Sequence, residues 1–223
     1  MRLPYAPATP PDNGDAATSD IYARIAARRH PRPLIPLDRA LLHAPPVADG
    51  WNSFLGAIRS RTVLHPGLLE LAVCRVAVLN AAVYEWNAHA PLAVRAGIAP
   101  QTLAAVRTMP PHGEDAAEAA AEAEAGGESA SAPPLSRRER AVVAYTDQMT
   151  RTVRVDDAVF DELRAVGFSE REIVELTATV AAYNCVSRFL VALDVGEWNA
   201  REMKSVDDVV REEEERKKAA STA

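Results

Sequence analysis

Between Glu70 and His89 the chain gathers groups able to do chemistry: Glu70, Cys74, Arg75, Tyr84, Glu85, Trp86 and His89, all within the run HPGLLELAVCRVAVLNAAVYEWNAHAPLAVRAG. Polar side chains this dense in an apolar stretch need burial partners or a purpose, because a buried polar group without a hydrogen bond is costly. Glu85 and His89 are four apart, so on one helix they share a face. A carboxylate beside an imidazole orients it and favours its charged form, which suits a proton-transfer pair. The same spacing also describes, and more commonly, a surface or interhelical ion pair. Of the five histidines (30, 43, 65, 89 and 112) only His89 stands within such a cluster.

The elements that must position these groups are helical. Pro66 suits a first helical position, where its missing N–H has no partner to lose. Gly97 suits a stop. Asn80 lowers helical propensity between them. The pattern predicts a break near Asn80, with Glu70 on one helix, Glu85 and His89 on the next, and a small polar pocket between the two.

The rest of the chain is also read as helices. At 223 residues with 48% apolar residues it can hold one good-sized core or two small domains. Residues 1–19 form a Pro- and Ala-rich arm that either stays mobile or wraps a neighbouring subunit. Asp20 caps a short helix, IYARIAARR. Its basic end at Arg28, Arg29, His30 and Arg32 reads first as cations compensating a helix C-terminus, and second as an anion site. Asp38 caps RALLHA, and Val47 to Arg59 is amphipathic, with Trp51 and Phe54 as core or pocket wall. Residues 110–134 are a low-complexity acidic and Ala-rich insertion. Two S-x-x-E capping boxes, Ser136 with Glu139 and Ser169 with Glu172, open later helices. On the last of these, which is strongly apolar, Asn184 and Arg188 lie one turn apart, as either a structural polar bridge or an anion-binding pair. Residues 201–223 are a charged helix fading into a tail, so the domain proper runs over 20–200.

Composition excludes several classes. A net charge of −6 argues against a nucleic-acid partner. Cys74 and Cys185 are isolated in apolar patterns, with no disulfide framework and no metal spacing, and fit a reducing, cytoplasmic setting. No apolar run of 18 residues is free of charge, and no secretory leader is read at the N-terminus, so no membrane association is expected. No phosphate-binding or dinucleotide glycine motif occurs, no alternating strand pattern occurs, and neither a cofactor nor a metal is expected.

The runs LLELAVCRVAVLNAAVYEWNAHAPLAVRAG and LSRRERAVVAYTDQMTRTVRVDDAVFDELRAVGFSEREIVELTATVAAYNCVSRFLVAL resemble the carboxymuconolactone decarboxylase and alkylhydroperoxidase superfamily, over roughly residues 34–196 apart from the insertion. The resemblance implies an all-α domain that forms homo-oligomers, trimers or hexamers, with the site close to a subunit interface. The thiol peroxidase branch carries a glutamate, eleven residues, Cys-x-x-Cys, three residues and a histidine. Glu70 and His89 match the outer two positions, while the thiol positions fall on Ala82 and Glu85. Disulfide-cycling chemistry needs both thiols, so this chain is similar to the branch that lacks them. The decarboxylase branch has Glu-x-x-x-His where Glu85 and His89 stand.

The first functional expectation is a cofactor-free lyase or isomerase acting on a small organic acid or lactone. The resemblance makes His89 the general acid/base. Glu85 is then its orienting partner, Glu70 a second proton-transfer group, and Tyr84 a donor to a developing enolate oxygen. Arg75, or Arg188 with Asn184, holds a substrate carboxylate, and Trp51 and Trp86 complete the substrate-binding set. The alternative is a non-catalytic helical oligomer acting as a scaffold. A third reading, thiol peroxidase activity through Cys74, lacks a resolving thiol.

Overall fold

The computed structural model describes residues 1–12, 14–112 and 135–221, and every regular element among them is an α-helix. The insertion at 110–134 lies outside the described residues from position 113 onward. The helices are α1 (Ala16–Arg29), α2 (Pro36–Leu41), α3 (Pro45–Ser60), α4 (Pro66–Leu79), α5 (Val83–Arg95), α6 (Pro100–Thr108), α7 (Arg137–Arg151), α8 (Asp157–Ala165), α9 (Glu170–Leu193) and α10 (Val206–Ser221).

The bundle is built around α4. Its sequence is apolar on all sides, and a helix of that kind must be surrounded. Leu71, Ala72, Val73, Cys74, Val76 and Ala77 are all fully buried. Helices α5, α7, α9 and α6 pack around it. By length and composition α9 could cross a bilayer, but half of its apolar window is buried inside the bundle.

The break between α4 and α5 falls at Asn80, as the sequence predicts. Asn80 caps α4, Ala81 takes the left-handed conformation with φ 51°, and Ala82 begins the next turn. A non-glycine residue there is uncommon and needs surrounding support. Asn80 provides it by donating from Nδ2 to Asn184 Oδ1 at 3.0 Å and to Ser187 Oγ at 2.8 Å, both on α9. The corner folds α5 back along α4. Both predicted capping boxes are present, at Ser136 with Glu139 and at Ser169 with Glu172.

Three local readings are corrected. The first helix starts at Ala16 with Asp15 as its cap, its side chain accepting from Thr18 N, so Asp20 lies inside it. Asp38 is inside α2 rather than before it. It accepts from the Ile35 N–H at 3.0 Å and from Arg29 Nε and Nη2, each at 2.7 Å. The N-terminal segment also lies against the body of the fold. Ala6 is buried, Arg2 N donates to Leu193 O at 2.8 Å, and the Met1 ammonium meets Glu197. At the other end α10 docks on α5, burying Val206, Val209 and Glu213.

Candidate active site

Helices α1, α3, α5 and α9 enclose a cavity of about 480 Å³, a volume suited to a small organic molecule. Its wall takes Arg28 and Arg29 from α1, Arg32 from the following turn, Trp51, Leu55 and Arg59 from α3, Tyr84, Glu85, His89 and Arg95 from α5, and Tyr183 and Val186 from α9.

Behind His89 and Arg59 of that wall, Glu70 of α4 reaches across to α5. Its Oε2 lies 2.7 Å from His89 Nδ1, and its Oε1 lies 2.6 Å from Arg59 Nη1. Burial raises the Glu70 carboxyl, but the hydrogen bond and charge of His89, joined by Arg59, outweigh it and hold the group below its ordinary value. Glu70 is therefore an anion and can only accept. Nδ1 of His89 must carry the proton of their bond, which leaves Nε2 as the nitrogen offered to a ligand. The edge of the Tyr183 ring stands against the imidazole at 4.9 Å between centroids. Arg59 also bonds the Tyr183 side chain, so one guanidinium holds both groups that orient His89.

Glu85 behaves differently from the sequence reading. It does not orient His89; Glu70 does. The Glu85 carboxyl is 1% exposed, and neither oxygen has a hydrogen-bond partner. Burial alone pushes its pKa well above the ordinary value of 4.5, so it is held as the neutral acid. The reason is geometric. Glu85 and His89 share a face of α5, but Glu70 approaches that face from α4 and takes Nδ1 first.

Tyr84 lines the same cavity. Its pKa is pushed up to about 12, mainly by burial, and its hydroxyl is engaged with the backbone of Leu37. Behind its ring lies Gly196 at φ 78°, where a Cβ would come within 2.6 Å of the tyrosine. Trp51 lies against Phe189 with ring centroids 5.4 Å apart.

The other predicted binding residues stand elsewhere. Arg75 is fully buried and spends its donors on Asp147 and on the carbonyls of Val106, Met109 and Pro110. Trp86 is fully buried in a second apolar cluster and donates to Lys204 O at 3.0 Å. Asn184 accepts from Asn80 at the α4–α5 corner, and Arg188 is bound back onto Asn184 at the surface, so the pair is the structural bridge and not the anion site. Cys74 is fully buried, and burial, with Glu70 and Glu85 nearby, pushes its thiol well up, which disfavours the thiolate.

Cationic residues that the sequence reading left out of the site occupy its wall. Arg28, Arg29 and Arg32, read first as helix-end compensation, face the cavity together with Arg59 and Arg95. Three of the five have carboxylate partners: Arg29 with Asp38, Arg59 with Glu70 and Arg95 with Glu213. Arg28 donates to Asn52 O at 3.4 Å, and burial and Arg29 lower its pKa. With Glu85 neutral, the wall carries an excess of positive charge in a chain whose net charge is −6. A buried tyrosine in so apolar a helix as α9 was the one available signal for Tyr183, since its hydroxyl needs a partner. Among the described residues, no group of three His, Cys, Asp or Glu side chains is placed to hold a metal ion.

The profile of the carboxymuconolactone decarboxylase family matches residues 45–125, which includes Glu70, Glu85 and His89. Over that part of its length the chain is similar to the carboxymuconolactone decarboxylase family. Solved structures of similar fold include a peroxidase-related protein from Silicibacter sp. TM1040, with TM-score 0.60 and 14% identity over 90% of this chain and 99% of that one. The alkylhydroperoxidase AhpD core protein from Ralstonia eutropha JMP134 gives 0.59 and 17%, over 85% and 92%. The debrominase Bmp8, solved with 2,3,4-tribromopyrrole, gives 0.54 and 17%, over 92% and 96%. No curated protein matches the sequence. At these identities the solved structures show a shared fold and nothing finer, and this chain has Ala82 and Glu85 at the positions its sequence resemblance aligns with the thiol pair.

Proposed function

We propose that the protein is a cofactor-independent lyase or isomerase that moves a proton on a small anionic organic acid or lactone. The observation that carries this reading is the Glu70–His89 pair at 2.7 Å, whose imidazole lies in the wall of an arginine-lined cavity. Glu70 fixes the imidazole tautomer, and Nε2 takes a proton from, or returns one to, the substrate carbon. The uncompensated arginines, Arg28 and Arg32, hold the carboxylate, and excess positive charge in a concave site raises the local concentration of anions. Arginine suits this because its donors match a carboxylate in pairs.

A screen of unsaturated lactones, β-keto acids and related small carboxylates, followed by carbon dioxide release or loss of conjugated absorbance, tests the reading. On whatever substrate the wild type accepts, His89→Asn lowers turnover by about 10²-fold, the scale of a positioned general acid/base. Full activity in a folded His89→Asn variant removes His89 from the mechanism and overturns the assignment.

The active form is proposed to be a homo-oligomer, a trimer or hexamer. Val47 and Phe54 on α3 are 57% and 49% exposed, which leaves apolar surface beside the cavity for a neighbouring copy. Light scattering at micromolar concentration is expected to show a multiple of the 24.0 kDa chain. A monomer alone refutes it.

A further inference from the structure

Glu85 is the one cavity-wall carboxyl for which the fold provides no partner. Asp38 and Glu70, the other acids beside the cavity, each meet an arginine. Glu213 behind Arg95 does the same. Glu85 has both oxygens closed to solvent and unbonded, although it sits in the first turn of α5 at the cavity wall, so that a turn of its side chain brings the carboxyl to a ligand there. A buried polar group left unpaired costs about 1–3 kcal/mol, and a fold that pairs its other buried carboxylates did not need to leave this one open.

We propose that Glu85 donates a hydrogen bond to the oxygen of the bound ligand, a carbonyl that gains negative charge as an enolate, seated between Glu85 and His89. The inference rests on the proton-transfer reading above, because that reading supplies the enolate. The groups facing Glu85 fit the role. Tyr183 and Cys74 are neutral, since burial raises both. Glu70 is an anion committed to His89 and Arg59. No cation near Glu85 offsets its burial, so the acid keeps its proton and remains a donor. A carboxylic acid kept neutral by an apolar site serves as an oxyanion donor in this way in ketosteroid isomerase. The chemistry balances simply. His89 Nε2 takes the proton from the carbon next to the carbonyl, and the C–H electron pair moves to the carbonyl oxygen. That oxygen accepts from Glu85 O–H, with the Glu85 proton remaining on Glu85. Return of the proton from His89 to another carbon completes an isomerisation. Tyr84, the sequence-based candidate for this donor, accepts from the Leu37 backbone N–H and, unlike Glu85, has a protein partner for its oxygen.

The test uses the full chain and substituted phenols, whose phenolates mimic an enolate oxygen. Binding is measured by absorbance and calorimetry with wild type, Glu85→Gln and Glu85→Ala. In parallel, the infrared difference spectrum between wild type and Glu85→Gln reports the Glu85 protonation state without any turnover. The expected result is a protonated carboxyl band at neutral pH, shifted by phenol binding. Affinity should fall by about tenfold or more in Glu85→Ala, the scale of a lost charge-assisted hydrogen bond, and by less in Glu85→Gln, whose amide still donates. An ionised carboxyl at neutral pH, undiminished binding in a folded Glu85→Ala, or no phenol binding by wild type at millimolar concentration overturns the proposal. Failure of the lyase reading shows separately, as absence of turnover across the acid and lactone screen while Glu85-dependent phenol binding persists.

Discussion

Two buried charge clusters grow from the same helix, at Arg75 and at Glu70, and they are finished differently. Arg75 has five N–H donors, and all five are used: two on Asp147, and one each on Val106 O, Met109 O and Pro110 O. Asp147 accepts in addition from the His112 N–H at 2.8 Å. This cluster is closed. It fastens the end of α6 and the turn after it to α4 and α7, and has no capacity left for a ligand. The Glu70 cluster is open. Glu70 is saturated by His89 and Arg59, but His89 and Glu85 both line the cavity, and the Glu85 carboxyl, closed to solvent, has no protein partner. Depth does not separate structure from function here, since both clusters are buried. Unfilled hydrogen-bonding capacity does.

The sharpest way to break the comparison is to open the closed cluster. Arg75→Met leaves Asp147 buried beside three carbonyls that have lost their donor. Breaking a buried pair from one side costs about 3–5 kcal/mol, which in a domain this size lowers the melting temperature by roughly 10 °C or more. Adding Asp147→Leu recovers part of the loss and not all, because the carbonyls remain unpaired. Thermal melting within about 2 °C of wild type would show that the Arg75 cluster does not hold the fold.

A smaller effect of opposite sign is expected at the open cluster. The folded-state pKa of Glu85 is raised, so above its ordinary value of 4.5 the unfolded chain loses this proton while the native state keeps it. Stability from this group is fully present below that value and is lost as pH rises toward the folded pKa, with a slope of at most about 1.4 kcal/mol per pH unit. Glu85→Gln removes the slope. Relative to wild type it gains stability progressively from about pH 5 upward, while the two converge at lower pH. Urea melts across pH 4–8 measure this directly, and parallel curves for the two proteins would show that Glu85 ionises normally.

The smallest effect is expected at Cys74, which lies on the same helix between the two clusters and belongs to neither. Peroxide reduction with dithiol donors should be negligible in wild type and unchanged in Cys74→Ala, because the thiol is fully buried and held protonated. Turnover that disappears with this substitution would mean that the cavity admits peroxide to Cys74 and that burial does not silence it.

Much of this was readable in the sequence. The helices, the break at Asn80, both capping boxes and the meeting of the Glu70 helix with the His89 helix follow from local rules: apolar periodicity, propensity, and side chains that satisfy the first N–H groups of a helix. These depend on residues within a few positions of each other. The density of polar side chains between residues 70 and 89 likewise marked the region where chemistry is possible, since burial makes such groups expensive unless they are used. Which polar group meets which was decided only in three dimensions. Glu85 is four residues from His89, and Glu70 is nineteen away, yet Glu70 takes the imidazole because the corner at Asn80 turns α4 alongside α5. Arg75, Asn184 and Arg188 have the right chemistry for a substrate carboxylate, but partners from α7, α6 and α4 and from within α9 consume it. Arg28, Arg32, Arg59 and Arg95 line the cavity because α1, α3 and α5 converge there, from positions as far as 67 residues apart in the chain. Hydrogen bonds and ion pairs are short-ranged and finite in number. Sequence spacing can state which side chains are able to form them, and the packing of the helices settles which do.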